Sequence, residues 1–95
     1  VIRWTERASA DLVSVVEWLD QRNPAAAERL ASAVLAAIER LEPHPNLGRR
    51  GRVPGTRELV VPRRRNYVVV YRLVAGTVVI LRVLHGKMQW PEAAG

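Results

Sequence analysis

Apolar side chains recur at helical spacing through the first half of the chain and crowd into short β-branched runs in the second, so the architecture changes once along its length. Residues 1–4, VIRW, read as a strand too brief to stand alone, one that needs a sheet to join. Thr5 suits an N-cap, with Glu6 at the positive end of the helix that follows. Ala8, Leu12, Val15, Val16 and Leu19 form an apolar stripe that predicts a helix ending near Arg22. Asn23-Pro24 restarts the helix, because Asn caps and a proline at the first helical position has no amide to leave unbonded. Ala27, Leu30, Val34, Ile38 and Leu41 carry a second stripe to Glu42, where Pro43 stops it. Helices separated by so short a break must turn back on each other, which predicts an antiparallel hairpin over residues 5–42.

Residues 43–56, PHPNLGRRGRVPGT, hold three Pro, three Gly and three Arg and read as a loop. Beyond it, residues 57–61, 66–73 and 77–84 are β-branched runs separated by the basic link at 62–65 and a turn at Ala75-Gly76. They predict a three-stranded antiparallel meander. The whole is a two-layer α+β fold in a single domain over residues 1–95, with the order β-α-α-β-β-β. Stretches such as Tyr67-Val68-Val69-Val70-Tyr71 are apolar on both faces, so the sheet needs cover on its second face as well. An outside partner, the first strand or the C-terminal tail could each provide it. The turn also sets a register. With two residues in it, Arg72 lies opposite Val79 and Arg82 opposite Val69, on opposite faces; a third turn residue would bring both arginines onto one face.

Composition narrows the function. The chain is 95 residues long with no cysteine, which excludes disulfides, thiolate metal sites and cysteine nucleophiles and suits a reducing cytoplasm. His44 and His85 are too far apart in unrelated patterns to suggest a metal site, so no metal and no cofactor are expected. No run approaches the length of a membrane span. Val1 in place of methionine reads as a start after the initiator. Residues 1–48 carry five Arg against seven Asp and Glu, whereas residues 49–95 carry ten Arg and Lys against Glu58 and Glu92. The second half is therefore a cationic face suited to nucleic acid, a ribosome or an acidic protein, or simply a solvated surface.

The stretches Pro54-Gly55-Thr56-Arg57-Glu58-Leu59, Tyr67-Val68-Val69-Val70-Tyr71-Arg72 and Ile80-Leu81-Arg82-Val83-Leu84-His85-Gly86, leading to Gln89-Trp90-Pro91, are set in this order of elements. Together they resemble the RelE/ParE toxin superfamily over nearly the whole chain. The resemblance implies a toxin of a type II toxin–antitoxin module, neutralised by a cognate antitoxin that also supplies operator DNA recognition. It further implies one of two targets: RelE-like members cut messenger RNA on the ribosome without a metal, and ParE-like members bind DNA gyrase. The basic positions of the RelE set fall here near Glu58 and Val60, about Val68, and near Met88, which aligns the chain with the ParE side.

The candidate residues follow from both readings. For nuclease chemistry, His85 with Arg57, Arg72 and Arg82 could supply a proton carrier and cations; the favoured reading of His85 is a strand-end residue bonded to backbone. Arg63, Arg64, Arg65, Arg49, Arg50, Arg52 and Lys87 are candidates for gripping a target or phosphates. Trp18, Leu30, Trp90 and Tyr71 are candidates for contact with the antitoxin, since tryptophans are more often core or interface anchors than base-stacking platforms. A toxin that has lost its activity and serves only as the antitoxin's partner in repression is the third possibility.

Overall fold

The computed structural model describes residues 1–86, Met88, Trp90 and Pro91. A strand β1 (Ile2–Trp4) leads into helices α1 (Glu6–Asp20) and α2 (Pro24–Glu39), followed by β2 (Arg49–Arg50), β3 (Arg57–Val61), β4 (Arg64–Val74) and β5 (Thr77–His85). The strands form one sheet in the order β1-β5-β4-β3-β2. The expected meander is there, antiparallel throughout, and β1 runs parallel to β5 at the far edge, so the fold is α+β with a mixed sheet.

Both helix starts follow from their caps. Thr5 Oγ1 accepts the Ala8 amide at 3.1 Å and donates to the Ile80 carbonyl at 2.9 Å, so one side chain starts α1 and ties it to β5. Asn23 Oδ1 accepts the Ala26 amide at 3.1 Å. The second helix stops at Glu39, short of the expected Glu42. The chain tightens there instead: the Leu41 amide reaches back only to Ile38 O, and the Glu42 amide to Glu39 O. That tightening turns Leu41 inward, fully buried.

Residues 43–56 are not all loop, as the Pro and Gly content suggested. Arg49 and Arg50 pair with Glu58 and Arg57 as β2, the edge strand. β4 also begins earlier than expected, at Arg64, because Pro62-Arg63 makes a tight turn in which Arg63 takes a φ of 63°. At the other hairpin Ala75 and Gly76 have φ of 48° and 81°, the signature of a two-residue turn of mirror-image type, and Val74 faces Thr77.

The helices contribute Ala8, Val15, Leu30, Val34 and Ile38 to a core completed by Leu59, Val69, Tyr71, Ile80 and Val83 of the strands. Alternation along β3 and β4 points Glu58 and Val70 to the opposite face, yet they are only 2% and 0% exposed. The chain covers part of that face itself, while Arg72 and Val74 remain exposed on it. The loop after β2 lies against Glu58, whose Oε2 accepts the Arg52 amide, and Arg52 Nη1 in turn donates to the Trp90 carbonyl. No outside molecule is needed to bury Glu58, Val70 or Leu84, and β1 occupies the edge rather than the face.

Candidate functional site

The four candidates for nuclease chemistry are not brought together. Arg82 is buried, its Nε 2.7 Å from Asp11 Oδ2 and its Nη2 3.1 Å from Oδ1, and the same Asp11 carboxylate accepts the Val83 amide at 2.9 Å. The geometry has a backbone cause. Leu81 is an extra residue in β5, so Tyr71 pairs with Ile80 while Val70 pairs with Arg82. That bulge displaces Arg82 from the expected partner, Val69, and turns it toward α1 just past the end of β1. There Asp11 caps the part of β5 that β1 leaves unpaired.

Arg57 points toward the loop below the core, where its Nη1 donates to Gly48 O at 2.7 Å and Asn46 O at 3.4 Å. Arg72 follows the core-facing Tyr71 and projects from the other face, exposed and opposite Val79 as a two-residue turn requires. His85 ends β5 opposite Tyr67, the rings 5.7 Å apart and inclined by 38°. Its amide donates to Met88 Sδ, and its imidazole has no hydrogen-bond partner among the described residues. A paired phosphate clamp of Arg72 and Arg82 is therefore not formed.

The basic loops divide in the same way. Glu58 draws in two of the arginines: Arg49 Nη2 lies 3.3 Å from Oε1 and Arg52 Nε 3.5 Å from Oε2. Burial favours the neutral acid, but the Arg52 amide and the two guanidiniums outweigh it and hold the carboxyl below the ordinary glutamate value. Arg50, Arg63 and Arg65 are exposed, while Arg64 is half-buried and turned back onto the Arg63 carbonyl. Lys87 lies outside the described residues.

Of the four partner candidates, Leu30 and Tyr71 are corrected to core residues, 1% and 0% exposed. Leu30 sits on the inner stripe of α2. Tyr71 is held by both ends of a loop, its hydroxyl donating to Pro45 O and accepting the Gly48 amide, each at 2.8 Å. Burial pushes its phenol above the ordinary tyrosine value, offset in part by the Gly48 amide and by Arg57. Trp90 is half-buried, and its ring nitrogen is enclosed without a partner among the described residues. Trp18 alone of the four stands out from the surface, 56% exposed, with the Arg22 guanidinium 3.9 Å from its ring centroid.

Trp18 marks a groove that sequence reasoning missed. It is a space of about 510 Å³ between α1 and the end of the sheet, lined by Ala10, Asp11, Ser14, Val15, Trp18, Tyr67, His85 and Met88. The signal was present in part, since Asp11 interrupts an apolar stripe; what it would meet depends on a bulge that no local pattern announces.

The family described as "ParE toxin of type II toxin-antitoxin system, parDE" matches residues 2–90. The chain belongs to this toxin family. Among its relatives, "Putative toxin Y4kP" of Sinorhizobium fredii is 37% identical over 96% of this chain and 93% of its own length. "Toxin RelE1" and "Toxin RelE3" of Caulobacter vibrioides are 38% and 40% identical over 87% and 83% of this chain and 89% and 86% of theirs. A solved structure titled "Chromosomal ParDE TA system from P. aeruginosa" superposes with a TM-score of 0.81 at 25% identity, covering 88% of this chain and 92% of that one. This ParE-family toxin covers most of the length of each of these relatives and shares the fold of the solved neighbour. Among the described residues no group of acidic and His side chains could hold a metal ion, and no helix is long and apolar enough to cross a membrane.

Proposed function

We propose that this toxin arrests growth by binding DNA gyrase rather than by turning over a substrate, and that a cognate antitoxin neutralises it. The observation that carries this reading is the dispersal of His85, Arg57, Arg72 and Arg82. Cleaving RNA through its 2′-hydroxyl needs a base, an acid and a cation converging on one phosphate. Here one cation is buried against Asp11, one is tied to loop carbonyls, and one projects from the other face of the sheet. A binding toxin needs only a shaped cationic surface, which the exposed Arg50, Arg63, Arg65 and Arg72 supply. Purified toxin should inhibit gyrase supercoiling or accumulate cleaved DNA; gyrase left untouched at saturating toxin would reject the reading.

The nuclease reading is supported by the His85 and Tyr67 rings at the rim of the groove, and by relatives that carry the name RelE. Its test is ribosomal A-site cleavage of translated messages that His85→Ala abolishes. For the antitoxin, the support is family membership, the ParDE title of the structural neighbour, and an apolar groove beside an exposed Trp18. Operator recognition is assigned to the antitoxin, because neither helix of the toxin resembles a reading helix.

A further inference from the structure

At the β2 edge of the sheet two arginines face each other. Arg50 of β2 is the register partner of Arg57 of β3, so their side chains leave the same face on neighbouring strands. Like charges directly opposite one another are unfavourable, and no acidic side chain among the described residues pairs with either. The carboxylate nearest in sequence, Glu58, is buried on the opposite face and already occupied by Arg49 and Arg52. Arg50 has no hydrogen-bond or ion-pair partner among the described residues. Arg57 spends only Nη1 on protein, on the carbonyls of Gly48 and Asn46, which fixes the plane of its guanidinium and leaves Nε and Nη2 without a partner among the described residues.

Both arginines line a pocket of about 480 Å³, together with Asn46, Gly51, Thr56 and Leu73. Its wall is rigid: Thr56 Oγ1 donates to Val53 O at 2.6 Å, and the Gly51 amide donates to Thr56 O at 2.8 Å. A Cβ on Gly51 would collide with Thr56 Oγ1, so the loop closes on itself only with glycine there. A preorganised, planar cation beside an exposed one, with an Asn amide at the rim, is the donor arrangement that takes a tetrahedral oxyanion. The charge of the surrounding chain favours a phosphodiester over an isolated carboxylate: residues 49–95 carry ten Arg and Lys against Glu58 and Glu92, a field that a polyanion matches.

We propose that the Arg50–Arg57 pocket is a phosphodiester-binding site, through which the toxin holds the nucleic acid that accompanies its target. It does not depend on the gyrase reading, because a topoisomerase on DNA and a ribosome on RNA both present phosphodiesters. The test measures binding of the full-length toxin to a short fluorescein-labelled DNA duplex and to a single-stranded RNA, by anisotropy across a salt series. Arg50→Gln, a change at an exposed side chain, should weaken at least one of the two about 5- to 10-fold at ~0.1 M salt and lower the salt slope by about 1. Arg57→Lys should weaken it too, because the charge remains but the fork is lost. Arg29→Gln, on the exposed side of α2, removes the same charge elsewhere and should change binding less than about twofold. Loss with the duplex alone assigns the site to DNA, and loss with the RNA alone assigns it to RNA. Equal losses for Arg29→Gln and Arg50→Gln, no loss for Arg50→Gln, or an Arg50 dependence seen only with polyglutamate as the probe would overturn the proposal.

Discussion

Asp11 and Arg82, 71 residues apart, form a two-pronged ion pair with both side chains over nine-tenths buried, and Asp11 also accepts the Val83 amide. One carboxylate thus seals the part of β5 that β1 does not reach and binds α1 to the sheet. Removing Asp11 takes the bidentate carboxylate from Arg82 in a dry setting, so Asp11→Ala should cost about 3–5 kcal/mol in urea unfolding. Replacing both residues with leucine should recover much of that loss. If Asp11→Ala unfolds at the same urea concentration as the parent, the pair contributes nothing.

Glu58 makes the stability of the loop after β2 sensitive to acid. Its carboxyl is held below the ordinary value in the folded chain, so its contribution is fully present above the unfolded-state value and disappears as pH falls through the folded one. The melting temperature of Glu58→Gln should therefore lie below that of the parent at neutral pH. The gap should close in acid, below the usual carboxylate range. A gap independent of pH would mean that shape, not charge, is what Glu58 provides.

Tyr71 carries a comparable load without charge. Tyr71→Phe leaves the buried Gly48 amide without its acceptor, a loss of about 1–3 kcal/mol. Gly48→Ala attacks the same contact from the other side, since its Cβ would lie 2.8 Å from the tyrosine ring. Both variants should lower the unfolding midpoint, and their effects should not add, because they damage one contact.

How far these contacts could be read from the sequence depends on their range. Caps, helix stripes and the Ala75-Gly76 turn are local, and Thr5, Asn23 and the meander stand where the pattern put them. β2 is two residues long and is made a strand by its partner β3, so nothing in Arg49-Arg50 itself marks it. The places of Arg82 and Arg57 were hidden for a related reason: a bulge at Leu81 and a loop carbonyl decide where each guanidinium goes. Tyr71, a candidate partner contact by sequence, is instead a core residue, because the loop at residues 45–48 supplies its hydroxyl with partners inside. The cation-rich half was legible as composition; its division into paired and open arginines was not.

Trp18 offers a test of the partner surface that leaves the core intact. It is exposed, so Trp18→Glu should keep the melting temperature within a few degrees of the parent. If the groove beside it receives the antitoxin, the substitution should weaken co-purification at least about tenfold, the scale of an interface anchor. Unchanged complex formation would place the antitoxin elsewhere on the toxin.

His85 separates binding from catalysis in cells. Its imidazole stacks near Tyr67 and bonds to nothing among the described residues, so His85→Ala removes a potential proton carrier at small structural cost. A nuclease built on this side chain would lose about two or more orders of magnitude in rate, and induced expression would become harmless. A toxin that works by occupying gyrase has no proton to move. Growth arrest on induction should therefore persist in His85→Ala at matched protein levels, and colonies growing normally under that induction would turn the argument toward RNA cleavage.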